Sequence, residues 1–96
     1  MMPLYDLIDV RVLSDYKLAV AFEDGLKGTV DLSRRLHGPV FGPLEDEALF
    51  AKVYLDLGTV VWPGGADLAP DVMYDEIRRS GGWVVGASSP HTSEPT

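Results

Sequence analysis

Four carboxylates in the second half of the chain have a spacing that could support metal chemistry. They are Asp67, Asp71, Asp75 and Glu76, the first three spaced four residues apart. On a helix this spacing places side chains on one face, and carboxylate oxygens are the ligands that Mg²⁺ and Ca²⁺ prefer. A hard cation needs several oxygens converging from a rigid loop, which one helix face does not provide. We therefore predict turn-ordering and solvated side chains here, and no metal site.

The residues that could support nucleophilic catalysis are far apart in the sequence. His37 and His91 are the only histidines, so a triad would require the C-terminal region to fold back onto the loop at residue 37. Ser33 precedes two arginines and has no base beside it. The chain has no cysteine, which excludes a thiolate nucleophile and a zinc-thiolate site. We predict no catalytic residue and no cofactor.

A glycine pair, Gly64-Gly65, lies between a predicted strand and a predicted helix. The N–H groups of a helix N-terminus attract anions, so a weak anion-binding site at Gly64 and Gly65 is one hypothesis. The pair lacks the GxGxxG pattern and the lysine of phosphate-binding loops. An enzyme, or an anion-binding or metal-binding protein, that uses the turn from Gly64 to Asp71 is therefore an alternative, and it requires a pocket there.

The charge balance argues against nucleic acid and membrane surfaces as partners. The chain has 15 acidic and 8 basic residues among 96, a net charge of −7. Affinity for phosphate depends on lysine and arginine, and no aromatic platform or recognition helix accompanies the basic residues Arg11, Lys27, Arg34 and Arg35. A nucleic-acid-associated regulator is thus the second alternative. The acidic excess favours solubility or a basic protein partner.

Composition predicts one cytoplasmic domain. The hydrophobic content of 46% suits a single core, and no apolar run approaches the ~18 residues of a membrane span. The first residues lack the features of a secretory signal. We expect the domain to occupy residues 1–82. Residues 83–96 begin with the apolar Trp83-Val84-Val85 and continue with the composition of a flexible tail.

Three segments at the start of the chain show the two-residue period of half-buried strands. They are Tyr5–Leu13, Lys17–Glu23 and Leu26–Val30. Asp24-Gly25 between the second and third is a strong signal for a hairpin turn, because such a turn needs positive φ at its central positions. The segments predict an antiparallel meander with one apolar face and one exposed polar face.

Helix signals follow the meander. Asp31 predicts a cap for a single helical turn, and the two Gly-Pro pairs of residues 37–44 predict an extended loop that breaks any helix. Asp46 predicts the cap of a second helix, residues 53–62 a hairpin, and Pro70 the first position of a third helix. We therefore predict an α+β fold in the order β-β-β-α-α-β-β-α, with an antiparallel sheet of about five strands and three short helices on one face.

Four segments in this order together resemble one protein family. They are GTVDLS at residue 28, GPVFGPL at residue 38, EDEALFAKV at residue 45 and GTVVWPGGADLAPDVMY at residue 58. The chain resembles the bacterial domain of unknown function 2442 family from about Tyr5 to Ile77. The resemblance implies that family's nitrosomonad-type N-terminal-domain-like α+β fold. It also implies a class of small partners encoded beside toxin-like proteins. Longer relatives add a helix-turn-helix that is not visible here, so DNA binding is not implied for this chain.

The preferred hypothesis is a noncatalytic protein-interaction module, an antitoxin-like partner of a small basic toxin-like protein. Trp62 could anchor an interface, although Pro63 and the turn behind it favour a core position for the ring. The contact surface we predict comprises Trp62 and Asp67 of this turn, with Val40 and Phe41 of the Gly-Pro loop. An exposed sheet edge would offer strand pairing to a partner or to a second copy in a homodimer.

Overall fold

The computed structural model describes residues 6–86 and contains two sheets rather than one. The first has the strand order β1 (Leu7–Leu13), β2 (Lys17–Phe22), β3 (Lys27–Asp31) and β7 (Gly82–Val84). The second has the order β4 (Tyr54–Asp56), β5 (Thr59–Val61) and β6 (Asp67–Leu68). The helices are α1 (Gly38–Phe41), a 3₁₀ helix (Gly42–Glu45), α2 (Glu47–Phe50) and α3 (Pro70–Ser80).

The α+β class is confirmed, whereas the single antiparallel sheet of five strands and the predicted element order are wrong. Two short strands, β6 and β7, were not predicted from the sequence. Strand β7 lies parallel to β3, with Val30 opposite Trp83, so the first sheet is mixed. Strand β6 extends the predicted β4–β5 hairpin into a separate sheet of three antiparallel strands.

The predicted meander is confirmed as β1, β2 and β3. Leu18, Val20 and Phe22 alternate along β2 and are almost completely buried, at 0%, 3% and 0% exposed. Their neighbours Ala19 and Ala21 lie on the opposite face and are half-buried. One face of the first sheet therefore covers the core, while the other, the outer face, remains open among the described residues.

Helix α3 packs against the inner face at a glycine. Pro70 begins the helix as predicted, and Gly81 ends it with a φ of +85°, a conformation that side chains disfavour. A Cβ atom on Gly28 of β3 would lie 2.5 Å from Cγ2 of Ile77 and 2.9 Å from the carbonyl oxygen of Gly81. This close approach of helix to strand is therefore possible only at glycine.

Strand β7 crosses residue 82, where the sequence suggested the end of the domain. It spans Gly82–Val84, and the N–H of the buried Val85 donates to the carbonyl oxygen of Asp31. The apolar segment at residues 83–85 thus joins the sheet. The segment predicted to be a tail lies outside the described residues from residue 87 onward.

The helix that was predicted after Asp31 forms instead within the Gly-Pro segment. The Asp31 carboxylate accepts hydrogen bonds from the N–H and the hydroxyl of Ser33, at 2.9 and 2.7 Å, but caps only a series of turns. Gly38, the first residue of α1, has a φ of +83°. Pro39 occupies the first turn of α1, where its missing N–H and fixed φ favour helix initiation rather than preventing it.

Candidate partner-binding surfaces

Trp62, the first predicted contact residue, is part of the core. Its side chain is 1% exposed, and its indole Nε1 donates to the carbonyl oxygen of Phe50 at 2.8 Å. The ring centroid lies 5.7 Å from that of Phe50 and 6.4 Å from that of Phe41. The core position that the sequence favoured is the one observed, so Trp62 does not contribute to a contact surface.

The turn after Trp62 explains this burial and also shows where Gly64 and Gly65, the predicted anion site, lie. Gly65, with a φ of +100°, donates its N–H to the carbonyl oxygen of Trp62 at 3.0 Å. The chain then returns as β6, so Gly64 and Gly65 connect β5 to β6 and do not precede the first turn of α3. A two-residue strand thus separates this pair from the helix N-terminus, and anion binding at Gly64 and Gly65 stays a prediction.

The other three predicted contact residues differ in exposure. Val40 is 48% exposed, and Asp67 is exposed at the start of β6. Phe41 is half-buried, with the guanidinium carbon of Arg35 only 4.3 Å from its ring centroid. The outer side of the Phe41 ring is thus covered by a cation, which leaves Val40 and Asp67 as the exposed members.

The structure reveals a groove that the sequence did not indicate. It has a volume of about 360 Å³ and lies between the β1–β2 turn and α2. Val12 and Leu13, at the end of β1, are 42% and 41% exposed in its wall. We call this feature the α2 groove; its lining residues are Val12, Leu13, Ser14, Asp15, Tyr16, Glu47, Phe50 and Ala51.

Two residues in the wall of the α2 groove have an unusual backbone conformation. Asp15 and Tyr16 both have a φ of +60°, which costs about 1–3 kcal/mol for each non-glycine residue. Tertiary contacts hold the turn in place. The Tyr16 ring packs edge-on against Phe50 with centroids 5.4 Å apart, its hydroxyl donates to the carbonyl oxygen of Glu45, and its own carbonyl accepts from Leu32 at 2.9 Å.

The charge around the α2 groove is acidic. Burial raises the pKa of the Tyr16 phenol, and the carboxylates of Glu47, Glu45 and Asp46 raise it further. Asp46 also caps α2, as predicted, by accepting from the N–H of Ala48 at 2.9 Å. The groove therefore combines apolar walls with a negative rim. The sequence signal that could have indicated it is the run of three acidic residues, but only the cap was recognised there.

The basic residues considered for nucleic-acid binding do not converge into one patch. Arg11 and Lys27 line a second groove of about 230 Å³ on the first sheet, together with Asp9. Arg11 Nε donates to the Asp9 carboxylate at 3.1 Å. Arg35 instead covers Phe41 and donates to the carbonyl oxygen of His37 at 3.3 Å. An acidic side chain and a divided set of cations make this a poor phosphate-binding surface.

The residues considered for catalysis and metal binding have simpler roles where they are described. The Ser33 hydroxyl donates to Asp31, and His91 lies outside the described residues. Within residues 6–86, no group of three or more histidine, aspartate and glutamate side chains is arranged to hold a metal ion. In the same range, no helix has the length and apolar character required to cross a membrane.

The fold and these surfaces define a small α+β domain with an open outer sheet face and an acidic groove beside it. The family model described as "Protein of unknown function (DUF2442)" matches residues 7–79. The chain belongs to this family, which confirms the resemblance inferred from the four segments. No curated protein and no solved structure matches the chain.

Proposed function

We propose that this protein is a noncatalytic interaction module that binds a small basic protein in the cytoplasm, as an antitoxin-like partner. The observation that carries the proposal is the α2 groove, whose apolar walls are exposed and whose rim is acidic. The resemblance to the family supplies the class of the partner, a toxin-like protein encoded beside this chain. The proposed role requires no cofactor.

The α2 groove has the composition that a recognition site for a basic segment needs. Protein interfaces combine an apolar centre with a polar rim, and the exposed Val12 and Leu13 provide such a centre. Asp15 and Glu47 at the rim would meet lysine or arginine side chains of the partner. The net charge of −7 would accelerate encounter with a basic protein at moderate ionic strength.

The preformed shape of the groove would also favour binding. Tyr16 is fixed by its ring contact with Phe50 and its hydrogen bond to Glu45, so its turn does not have to become ordered when a partner binds. Interactions with a preorganised surface lose less affinity to conformational entropy. The occupant we propose is a basic segment with at least one apolar side chain that reaches the wall of the groove.

A charge-reversal experiment tests this role. The double variant Asp15→Lys/Glu47→Lys reverses two rim charges, and Asp56→Lys/Asp75→Lys makes the same change of net charge at exposed positions elsewhere. Affinity for the basic protein of the neighbouring reading frame should fall by about tenfold or more in the first variant, because like charges facing each other at an interface are strongly unfavourable. The control should lose about threefold or less, through the general field alone.

Growth assays provide the second readout. Expression of the neighbouring protein alone should arrest growth, this chain should relieve the arrest, and the groove variant should fail to do so while its control succeeds. Equal losses of affinity in the two variants would show that net charge, and not the groove, determines binding. Absence of co-purification with any basic neighbour would contradict the proposed function.

A further inference from the structure

Strand β1 is an edge of the four-stranded sheet, because the strand order is β1-β2-β3-β7. An antiparallel edge strand directs the N–H and C=O of every second residue away from its neighbour. Among the described residues, the outward backbone bond recorded for β1 is at its start, where the Leu7 N–H donates to the carbonyl oxygen of Gly58 at 3.1 Å. Along the rest of this edge, no strand among the described residues pairs with β1.

The sequence of β1 is self-complementary when it is read in reverse about Val10. The strand is Leu-Ile-Asp-Val-Arg-Val-Leu, so each residue on one side of Val10 has a complement on the other. Asp9 would meet Arg11 of a second copy, and Ile8 would meet Val12. A two-fold axis requires such self-complementarity, because residue i of one copy contacts j of the other and j contacts i.

We propose that β1 pairs antiparallel with β1 of a second copy of this chain, about a two-fold axis at Val10, and so joins two four-stranded sheets into one. This homodimer uses the edge of β1, whose Val12 and Leu13 also line the α2 groove, whereas its Asp9 and Arg11 do not. Opposite charges and apolar pairs placed directly across two antiparallel strands are the pairs that stabilise a sheet. By symmetry, each such pair occurs twice in the dimer.

The exposure of β1 side chains supports pairing with β1 of a second copy. Ile8 is 62% exposed and Val12 is 42% exposed, although both are β-branched apolar residues on an edge. Edge strands of monomeric proteins are commonly protected by lysine, proline, other charges or β-bulges, and the bulge of β1 lies only at the start of the strand. Strand β1 has neither lysine nor proline, and its two charges, Asp9 and Arg11, form an exposed ion pair with each other at 3.1 Å. These two charges of opposite sign do little to prevent edge-to-edge pairing. They instead favour the one register in which Asp9 of each copy lies opposite Arg11 of the other.

Two features limit the length of the proposed pairing. A β-bulge lies between Leu7 and Asp9, and Gly58 already accepts the Leu7 N–H. Main-chain pairing is thus confined to the middle of β1, around Val10, and the side chains of Ile8 and Val12 meet at the two ends of this paired segment. Leu57, at the tip of the β4–β5 hairpin, is 93% exposed next to this end of the strand and would lie near Leu13 of the second copy. An interface of this small size predicts a weak dimer that dissociates on dilution.

Sedimentation equilibrium over a range of protein concentrations tests the register by charge swapping. The wild type should show a concentration-dependent dimer. Asp9→Arg and Arg11→Asp should each reduce the association constant by about tenfold or more, because each places like charges opposite one another twice per dimer. The double variant Asp9→Arg/Arg11→Asp restores both pairs and should recover the association constant to within about threefold of wild type.

Matched controls on α3 separate effects at the β1 edge from the effects of a change in net charge. Glu76→Arg and Arg79→Glu make the same changes of net charge in an exposed ion pair of α3, and dimerisation should remain unchanged. Val12→Lys should abolish the dimer, whereas Val72→Lys, at a position 44% exposed on α3, should not. Circular dichroism melts should show that every variant is folded. Neither Asp9 nor Arg11 lines the α2 groove, so the charge series should leave binding of the basic partner intact.

Several results would overturn the proposal. These are a wild type that is monomeric up to millimolar concentration, single charge variants that dimerise as well as wild type, and a double variant that does not recover. A dimer that survives Val12→Lys would likewise assign the contact to another surface. Loss of partner binding with the dimer intact would contradict only the proposed function.

Discussion

The segment around Trp62 and the edge strand β1 both carry bulky apolar residues, yet one is core and the other is surface. Trp62 is 1% exposed, whereas Ile8 is 62% exposed. The difference comes from what the chain does next. After Trp62 the turn at Gly65 returns the chain as β6, while no described strand lies along the outer edge of β1. Residue type identifies apolar surface, but the return of the chain decides whether that surface is covered.

The largest effect should come from breaking the covered region. We expect Trp62→Ala to lower the free energy of unfolding by about 3–5 kcal/mol, because it leaves a cavity and removes the donor to the buried carbonyl of Phe50. Urea unfolding measures this loss. At the open edge, Val12→Ala should cost less than about 1 kcal/mol, since its side chain is already 42% exposed. Similar losses in the two variants would show that the regions do not differ in this way.

A second substitution tests how closely the inner face of the first sheet is covered. Gly28→Ala should lower the free energy of unfolding by about 1–3 kcal/mol, because its Cβ would overlap Ile77 and the backbone oxygen of Gly81. A change of side-chain rotamer cannot relieve the backbone contact. Gly64→Ala is the matched control, since a Cβ there meets nothing within 4 Å. Differential scanning calorimetry should show a lower melting temperature for Gly28→Ala alone.

The contrast between the two regions also explains which parts of the structure the sequence could predict. Alternation along β2, the cap at Asp46 and the start of α3 at Pro70 are local signals, and all three are confirmed. Strands β6 and β7 are only two and three residues long; β6 pairs with the neighbouring β5, whereas β7 forms because the distant β3 provides its hydrogen bonds. Such pairing leaves no periodic signal in the sequence. The single five-stranded sheet was therefore wrong because short strands far along the chain change the topology.

For the candidate surfaces too, features that depend on local sequence could be predicted, and features that depend on distant segments could not. Trp62 could be assigned to the core because Pro63 and the following glycines form a local turn. The α2 groove could not be predicted, since it brings together the Asp15–Tyr16 turn and α2, which are distant in sequence. The complementary order of residues in β1 is visible in the sequence, but its meaning depends on β1 being an edge strand.

The smallest expected effect is a pH dependence at the turn between β2 and β3. The Tyr74 hydroxyl donates to the Asp24 carboxylate and lowers its pKa below the ordinary value of 3.8, with a further contribution from the N–H of Leu26. Because the folded pKa is the lower one, the stabilisation is complete above the ordinary value and is lost as the pH falls through the folded pKa. The window therefore lies below about pH 4.

Asp24→Asn should remove this contribution while an amide oxygen can still accept from Leu26. The free energy of unfolding of the variant should differ more from wild type at pH 6 than at pH 2.5, as measured by chemical denaturation at both values. Asp31→Asn provides a second carboxylate whose variant can be compared over the same pH range. Burial raises the pKa of Asp31, but the hydrogen bonds from Ser33 outweigh this effect and the pKa is lowered. A constant difference between Asp24→Asn and wild type across this range would contradict the role of the Tyr74 bond.

The parallel pairing of β7 with β3 has a consequence for the order in which the protein folds during its synthesis. Residues 82–84 complete a sheet whose other strands end at residue 31, so more than half of the chain must be synthesised between them. A nascent chain that ends before β7 leaves the far edge of β3 without a neighbouring strand. Pairing over such a separation is slow. Release of residues 82–85 from the ribosome therefore allows β7 to pair with β3, which completes the first sheet.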